Sequence, residues 1–170
     1  MSTISVSRTL SQSPETVWPA LDDFGAVHRW SAAVKSSPIN PGTPESGVGA
    51  ERYCRLYDGN HIQERVTQVV PQQRLALEVF DTSMPLKSAQ GIFELVPTAN
   101  GGTALTMTFS YVVKFGLLGR AMDGLMLRRM MTASLTRLLA ALEQHLQTGE
   151  VIEQGWTPTA DERPPLRATG

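Results

Sequence analysis

The chain has 170 residues and a mass of 18.5 kDa, which is the size of one domain with a core that needs no disulfide or metal to fold. Charged residues make up 18 % and the formal net charge is −1, so we expect no basic surface for nucleic acid or anionic lipid. The single cysteine, Cys54, excludes an internal disulfide and a cluster of thiolate metal ligands. The N-terminus has no signal-peptide pattern and charges interrupt the apolar runs, which predicts a cytoplasmic protein without stable membrane anchoring.

The first thirty residues predict a strand followed by two short helices. Polar and apolar residues alternate over 3–10, as in a half-buried strand. The run Ser-Pro-Glu at 13–15 is typical of a helix N-terminus, with a hydroxyl cap, a proline and an acid. Pro19 lacks an amide hydrogen for the helix, so this helix should be short or bent. Gly25 then ends it, and a second helical turn is predicted over 26–30.

A two-residue period marks the middle of the chain as a run of six further strands. They are predicted over 34–39, 48–57, 61–70, 74–81, 87–96 and 103–113. Turn sequences rich in Gly, Pro and Asn separate them, so successive strands should pair as antiparallel hairpins. With the first strand, this predicts about seven strands in one antiparallel sheet.

A long helix is predicted over 117–147, where Leu, Met and Ala recur at helical spacing. The domain is therefore predicted over 1–147, and residues 148–170 as a flexible tail, with docking of Trp156 on the body as the alternative. The long helix is the largest element that can cover the apolar face of a curved sheet. Because three helices cannot all pack tightly on such a sheet, we expect a cavity between the sheet and the long helix. The class is α+β.

Five phrases follow one another along the chain: SPETVW at 13–18, DFGAVHRWS at 23–31, GAER at 49–52, DG at 58–59 with ERV at 64–66, and GIFELVP at 91–97. Together they resemble the START-like superfamily, also called SRPBCC. The resemblance spans about residues 3–147 and is closest to the polyketide cyclase/dehydrase and lipid-transport group. It implies a helix-grip fold, in which a seven-stranded curved antiparallel sheet wraps around a long C-terminal helix, with two short helices after the first strand.

Strand alternation sorts the sheet residues into two faces, and the resemblance implies which face looks into the cavity. That face is mostly apolar, and four methionines near the start of the long helix predict an adaptable wall; filling of an irregular core is the alternative. The predicted ligand-binding residues are Trp30, Lys35, Arg52, Cys54, Leu56, Glu64, Val66, Leu77, Val79, Gly91, Phe93, Met107, Phe109, Tyr111, Met122, Met126 and Met130. The segment 115–119 is predicted as a gate at the cavity mouth.

Lys35, Arg52 and Glu64 are the charged members of this set and are predicted to form its polar end. An Arg–Glu pair on adjacent strands keeps both charges paired and leaves donors for a ligand carboxylate or carbonyl. The alternative is a cross-strand ion pair on the exposed face with nothing bound. For Lys35 the role is implied by the resemblance, since related hormone receptors place a ligand-anchoring lysine on this strand.

Glu64 and Tyr111 are the candidates for acid–base catalysis, although a core tyrosine with its hydroxyl at the surface is the alternative for Tyr111. Cys54 is interpreted as a small buried residue, because no histidine is placed to activate it. The three histidines are scattered along the chain, and no glycine-rich phosphate loop follows a strand. We therefore expect neither a metal nor a cofactor.

These patterns predict a protein that binds a hydrophobic or aromatic small molecule (a lipid, polyketide or isoprenoid-like compound) as a carrier or sensor. An aromatase/cyclase-type enzyme that performs aldol closure and dehydration in the same cavity is the second hypothesis. A protein-binding module that presents the gate region is the third. The sequence leaves open the identity of the ligand, whether a reaction is catalysed, and whether the protein is a monomer or a homodimer.

Overall fold

The computed structural model describes residues 1–114 and 126–158. Its elements are β1 (Ser2–Leu10), α1 (Pro14–Asp22), a 3₁₀ helix (Phe24–Arg29), β2 (Val34–Ser36), β3 (Glu51–Leu56), β4 (His61–Val70), β5 (Arg74–Thr82), β6 (Leu86–Pro97), β7 (Thr103–Val113) and α2 (Arg128–Thr148). The predicted order of one strand, two short helices, six strands and a long helix is confirmed over these residues. The predicted gate and the first part of the predicted long helix lie outside them.

Helix α1 is short, as the proline inside it predicts. Pro14 stands in its first turn, and the buried side chains of Val17, Trp18 and Leu21 form one face. Pro19 lies inside the helix and is exposed, and it has no amide hydrogen to donate to the carbonyl of Glu15. The helix ends three residues later, and the 3₁₀ helix follows directly.

The seven strands form one sheet in the order β1-β7-β6-β5-β4-β3-β2, and every neighbouring pair is antiparallel. Five of the six pairings join strands that follow one another in the chain, and β1 joins the far side of β7. The β6–β7 turn passes very close to the end of β1: a Cβ on Gly102 would lie 2.3 Å from the carbonyl oxygen of Leu10. Only glycine fits at this position without a backbone shift.

The two faces of the sheet differ in polarity as strand alternation predicts. On the outer face of β1 and β7, facing hydroxyls pair at 2.8–3.1 Å in three successive rungs: Thr3 with Ser110, Ser5 with Thr108, and Ser7 with Thr106. On the inner face of the same strands, Ile4, Met107 and Phe109 are buried in the main hydrophobic core. This inner face is the one that the cavity prediction concerns.

Helix α2 packs against β1, at one edge of the sheet. Leu135, Leu139 and Leu142 are its buried leucines, and Glu143 forms an ion pair with Arg8 of β1. The helix ends at Gly149, whose left-handed backbone (φ 71°) closes the last turn. Among the helices in the described part of the chain, none is both long and apolar enough to cross a membrane.

The first residues after α2 contact the body of the domain. Ile152 is 5 % exposed, and its N–H donates to the carbonyl of Arg29 at 2.9 Å. His145 Nδ1 donates to the carbonyl of Glu150 at 2.6 Å, and Trp156 is half-buried. Residues 149–152 thus fasten the end of α2 to the end of the 3₁₀ helix. The domain boundary at 147 stays a prediction, and residues 159–170 lie outside the described chain.

We predict that Ile152→Ala lowers the free energy of unfolding by about 2–5 kcal/mol, because it removes a buried side chain from a site that cannot fully collapse. The matched control is Val151→Ala at the neighbouring position, which is 50 % exposed and should change stability little. Urea denaturation of both variants measures the difference. Equal stability of the two variants would show that the segment after α2 does not hold the domain together.

Candidate functional site

Apolar side chains form most of the inner face of the sheet. On β4–β7 the buried residues of this face are Val66, Leu75, Leu77, Val79, Ala89, Phe93, Leu95, Leu105, Met107, Phe109 and Tyr111. They occupy alternate positions along their strands, as expected for one face of a pleated sheet. The structure therefore places the predicted apolar wall residues of these strands on a single continuous surface.

Arg52 and Glu64 interrupt this apolar surface as an ion pair. They face each other across β3 and β4, with Arg52 Nε 2.7 Å from Glu64 Oε2, and their side chains are only 8 % and 14 % exposed. Burial lowers the pKa of Arg52, but the adjacent carboxylate more than offsets this and raises the pKa above its usual value. The guanidinium therefore keeps its charge, and the pair lies on the inner face rather than on the exposed face of the sheet.

The 3₁₀ helix supplies two further contacts that hold the guanidinium. Arg52 Nη1 donates to the carbonyl of Phe24 at 2.9 Å, and the guanidinium carbon lies 4.0 Å from the centroid of the Phe24 ring. The aromatic face and the carbonyl both attract a cation in a water-poor environment. Phe24 thus fixes the orientation in which Arg52 meets Glu64.

Phe24 is a site residue that the sequence analysis missed. It lies in the DFG phrase at 23–25, but its contact with Arg52 joins residues 28 positions apart, and no local period signals such a contact. A buried serine holds this turn in place: Ser37 Oγ donates to the carbonyl of Gly25 at 2.6 Å and accepts from His28 Nδ1 at 2.8 Å.

Cys54 lies beside the ion pair, with its Sγ 3.6 Å from Glu64 Oε2. Burial raises the pKa of its thiol from 9.0 to about 12, and the nearby carboxylate acts in the same direction while Arg52 opposes both. The thiol is therefore neutral near pH 7 and is not a nucleophile. This agrees with its interpretation as a small buried residue.

The inner-face residues of β3 and β4 at their hairpin are less buried than those deep in the sheet. Val66 and Leu77 are 1 % and 2 % exposed, whereas Leu56 and Ile62 at the hairpin are half-buried. Glu64 stands between these two regions, and its side chain is 14 % exposed.

Three further predicted site residues are held by close contacts with neighbouring groups: Trp30, Gly91 and Tyr111. Trp30 is buried and its Nε1 donates to the carbonyl of Ala20 at 3.1 Å. A Cβ on Gly91 would lie 3.1 Å from Leu77 Cδ1, so glycine lets that leucine approach the floor of the inner face. Tyr111 is 1 % exposed and its ring stacks on Phe109 with centroids 5.9 Å apart, so the alternative of a hydroxyl at the surface is not what the structure shows.

The structure does not bring Lys35 to the polar end, which corrects the expectation for this residue. Lys35 is exposed, and the neighbouring Val34 is the β2 residue that packs against the core. Because successive side chains of a strand point to opposite faces, an error of one residue moves Lys35 from the cavity to solvent.

The two described methionines predicted to line the cavity near the start of the long helix also point to solvent in the structure, which corrects that expectation. Met126 and Met130 are 82 % and 57 % exposed, and Leu127 and Met131 are the residues that pack against the core. Each residue turns the helix by about 100°, so Met130 lies about 140° around it from the buried Leu135, and Met131 about 40°. Met122 lies outside the described residues.

Two cavities are bounded by described residues near the ends of the sheet. A groove of about 610 Å³ between the start of α1, the β4–β5 turn and the end of β6 contains none of the predicted site residues. A smaller cavity of about 110 Å³ lies between the end of β5 and the start of β6 and includes Val79, Ala89 and Lys114. Among the described residues, no three metal-binding side chains are grouped closely enough to hold an ion.

Comparison with known proteins identifies the fold. A model of the family described as "Polyketide cyclase / dehydrase and lipid transport" matches residues 1–147. A START superfamily protein from Mycobacterium smegmatis is 18 % identical, with a TM-score of 0.71 over 85 % of this chain and 97 % of its own. XoxI from Bacillus cereus is 17 % identical, with a TM-score of 0.70 over 87 % and 97 %.

DynU16, a protein of the dynemicin biosynthetic locus, is 18 % identical with a TM-score of 0.64, over 91 % of this chain and 50 % of its own. No curated protein matches the sequence. At these identities the solved structures establish the fold alone, and the expected helix-grip fold is confirmed.

We predict that the Cys54 thiol makes the protein less stable as the pH rises above about 9. The folded thiol keeps its proton up to about pH 12 whereas the unfolded thiol loses it from 9.0, so the folded state binds more protons in this window. The free energy of unfolding should then fall by up to about 1.4 kcal/mol per pH unit. Urea denaturation at pH 8, 9 and 10 should show this loss in the parent protein and a smaller one in Cys54→Ala; identical slopes would contradict it.

Proposed function

The chain belongs to the polyketide cyclase/dehydrase and lipid transport family, and from that premise we propose that it binds an apolar or aromatic small molecule between the inner face of its sheet and α2, as a carrier or sensor. The ligand lies against the apolar wall, with its polar end at Arg52 and Glu64. Burial of its apolar surface supplies the affinity, at about 25 cal/mol per Å² removed from water.

The observation that carries this proposal is the ion pair of Arg52 and Glu64 in an otherwise apolar surface. Replacing a buried ion pair with well-packed apolar side chains is often neutral or stabilising, so a core gains little from such a pair. An apolar wall with a few convergent polar groups, open to solvent at one end, is the usual composition of a small-molecule site. The partial exposure of the Glu64 side chain, 14 %, fits this arrangement.

The positions of the helices also favour a cavity. Helix α2 packs against β1 at one edge of the sheet, and the 3₁₀ helix packs against β2 and β3 at the other. Helix α1 also contacts β6, and the inner face of β4 and β5 lies between these covers. Leu77 and Phe93 are nonetheless buried, as expected for the walls of an enclosed site.

The test compares two tryptophan variants at neighbouring positions on opposite faces of β5. Val79→Trp fills the proposed cavity from the inner face, and Phe80→Trp changes the outer face, where Phe80 is 40 % exposed. A bound ligand at 100 times its dissociation constant stabilises a protein by about 2.7 kcal/mol. We therefore expect 2-naphthol to raise the Tm of the parent protein and of Phe80→Trp, but not that of Val79→Trp.

Native mass spectrometry of freshly purified protein should also show an apolar molecule bound to the parent and absent from Val79→Trp. If nothing co-purifies and no apolar probe shifts the Tm, the protein is not a carrier of this kind. A Val79→Trp variant that unfolds on its own would show that the inner face has no room for the indole ring.

An enzyme of the cyclase type is the second candidate, and the position of Glu64 favours it. A carboxylate at the polar end of an apolar cavity can take a proton from a poly-β-keto chain during aldol closure and return it during dehydration. Tyr111, on the same face, is the candidate acid.

We expect Glu64→Gln to abolish cyclisation of a poly-β-keto substrate while leaving apolar ligand binding largely intact. Product formation and the ligand-induced Tm shift, measured on the same preparation, separate the two functions. A variant with full turnover would remove Glu64 from the mechanism, and a parent protein that binds without turnover would leave the carrier function alone.

A further inference from the structure

Two N–H groups of the Arg52 guanidinium, one on Nε and one on Nη1, already have partners in the protein. Its Nε donates to Glu64 at 2.7 Å, its Nη1 donates to the Phe24 carbonyl at 2.9 Å, and one flat face covers the Phe24 ring at 4.0 Å. Its charge is neutralised by the neighbouring carboxylate. Because its charge is balanced in this way, Arg52 attracts a ligand anion less strongly than an unpaired guanidinium would.

Glu64 keeps hydrogen-bonding capacity. Both contacts that it receives, from Arg52 Nε and from the Cys54 thiol, go to Oε2. No described residue donates a hydrogen bond to Oε1. The side chain is also the more exposed member of the pair, at 14 % against 8 % for Arg52. A partly exposed carboxylate with an available acceptor oxygen thus stands within an apolar wall.

We propose that this site selects ligands that carry a hydroxyl group, alcohol or phenol, and discriminates against carboxylates. The inference rests on the proposed function, because it assigns the chemistry of the ligand's polar end. The hydroxyl donates to Glu64 Oε1, and hydrogen bonds to charged groups are stronger than neutral ones. A ligand carboxylate would meet the like charge of Glu64 in a poorly hydrated place, where its own desolvation is not repaid.

Three naphthalene probes of similar shape test the proposal by isothermal titration calorimetry at pH 7. The probe 2-naphthol can donate, 2-methoxynaphthalene can only accept, and 2-naphthoate is an anion. We expect 2-naphthol to bind about tenfold more tightly than 2-methoxynaphthalene, since it alone forms the hydrogen bond to the carboxylate. The anion 2-naphthoate should bind most weakly.

Each outcome separates this inference from the function on which it rests. Equal affinities, or tightest binding of 2-naphthoate, would overturn the hydroxyl selectivity and leave a ligand-binding cavity in place. Absence of binding by all three probes would also overturn it. The proposed function is then decided separately, by the co-purified ligand and the response of Val79→Trp.

Variants of the ion pair should redirect the selectivity. Glu64→Leu removes the acceptor and releases Arg52, so 2-naphthoate should become the tightest of the three probes. In Arg52→Met/Glu64→Leu the affinities of 2-naphthol and 2-methoxynaphthalene should converge to within about twofold, because no polar partner remains. This double variant is expected to fold even if Glu64→Leu does not, since replacing a whole buried pair is tolerated better than stranding one charge.

The matched control is Glu78→Leu on the outer face of β5. Glu78 is also a carboxylate paired with an arginine, 3.0 Å from Arg65, but it lies on the face away from the cavity. Its loss should leave all three affinities unchanged. A Glu78→Leu variant that alters selectivity as Glu64→Leu does would show that net charge, rather than contact with Glu64, sets the preference.

Discussion

The cost of burying a cation organises one corner of this structure. Arg52 stands in an apolar surface, and a buried charge is tolerated only where partners replace the water that it has lost. The three partner groups come from two other parts of the chain: the carboxylate of Glu64 on the next strand, and the ring and carbonyl of Phe24 on the 3₁₀ helix. Ser37, just after β2, holds the turn that presents Phe24. Strand pairing, the short helix and the polar end of the site therefore depend on one another.

Strand alternation is enough to place Arg52 and Glu64 on the inner face. Strands β3 and β4 have six and ten residues, which is enough to show which alternate positions face inward. Strand alternation misplaces Lys35 because β2 has only three residues, and so short a strand gives the alternation too few positions to fix which face is inward. On α2, a four-residue spacing alone does not determine the inward face, since Met130 and Met131 each continue such a series. The contact of Phe24 with Arg52 is tertiary, and no local pattern encodes it.

The family and the chain's own residues explain different parts of the site. The helix-grip fold accounts for an apolar inner surface beneath a C-terminal helix, and it is shared with solved structures that are less than a fifth identical. On that surface Arg52 already has partners, and Glu64 Oε1 receives no hydrogen bond from a described residue. In the proposed site, specificity therefore depends on the partners that each charge already has.

The pairing of the first strand with the last has a consequence for how the protein is made. Ser2 pairs with Tyr111 and Leu10 with Thr103, so β1 leaves the ribosome first and finds its partner only after about a hundred more residues. At roughly 5–20 residues per second, this strand waits for several seconds with its backbone unpaired.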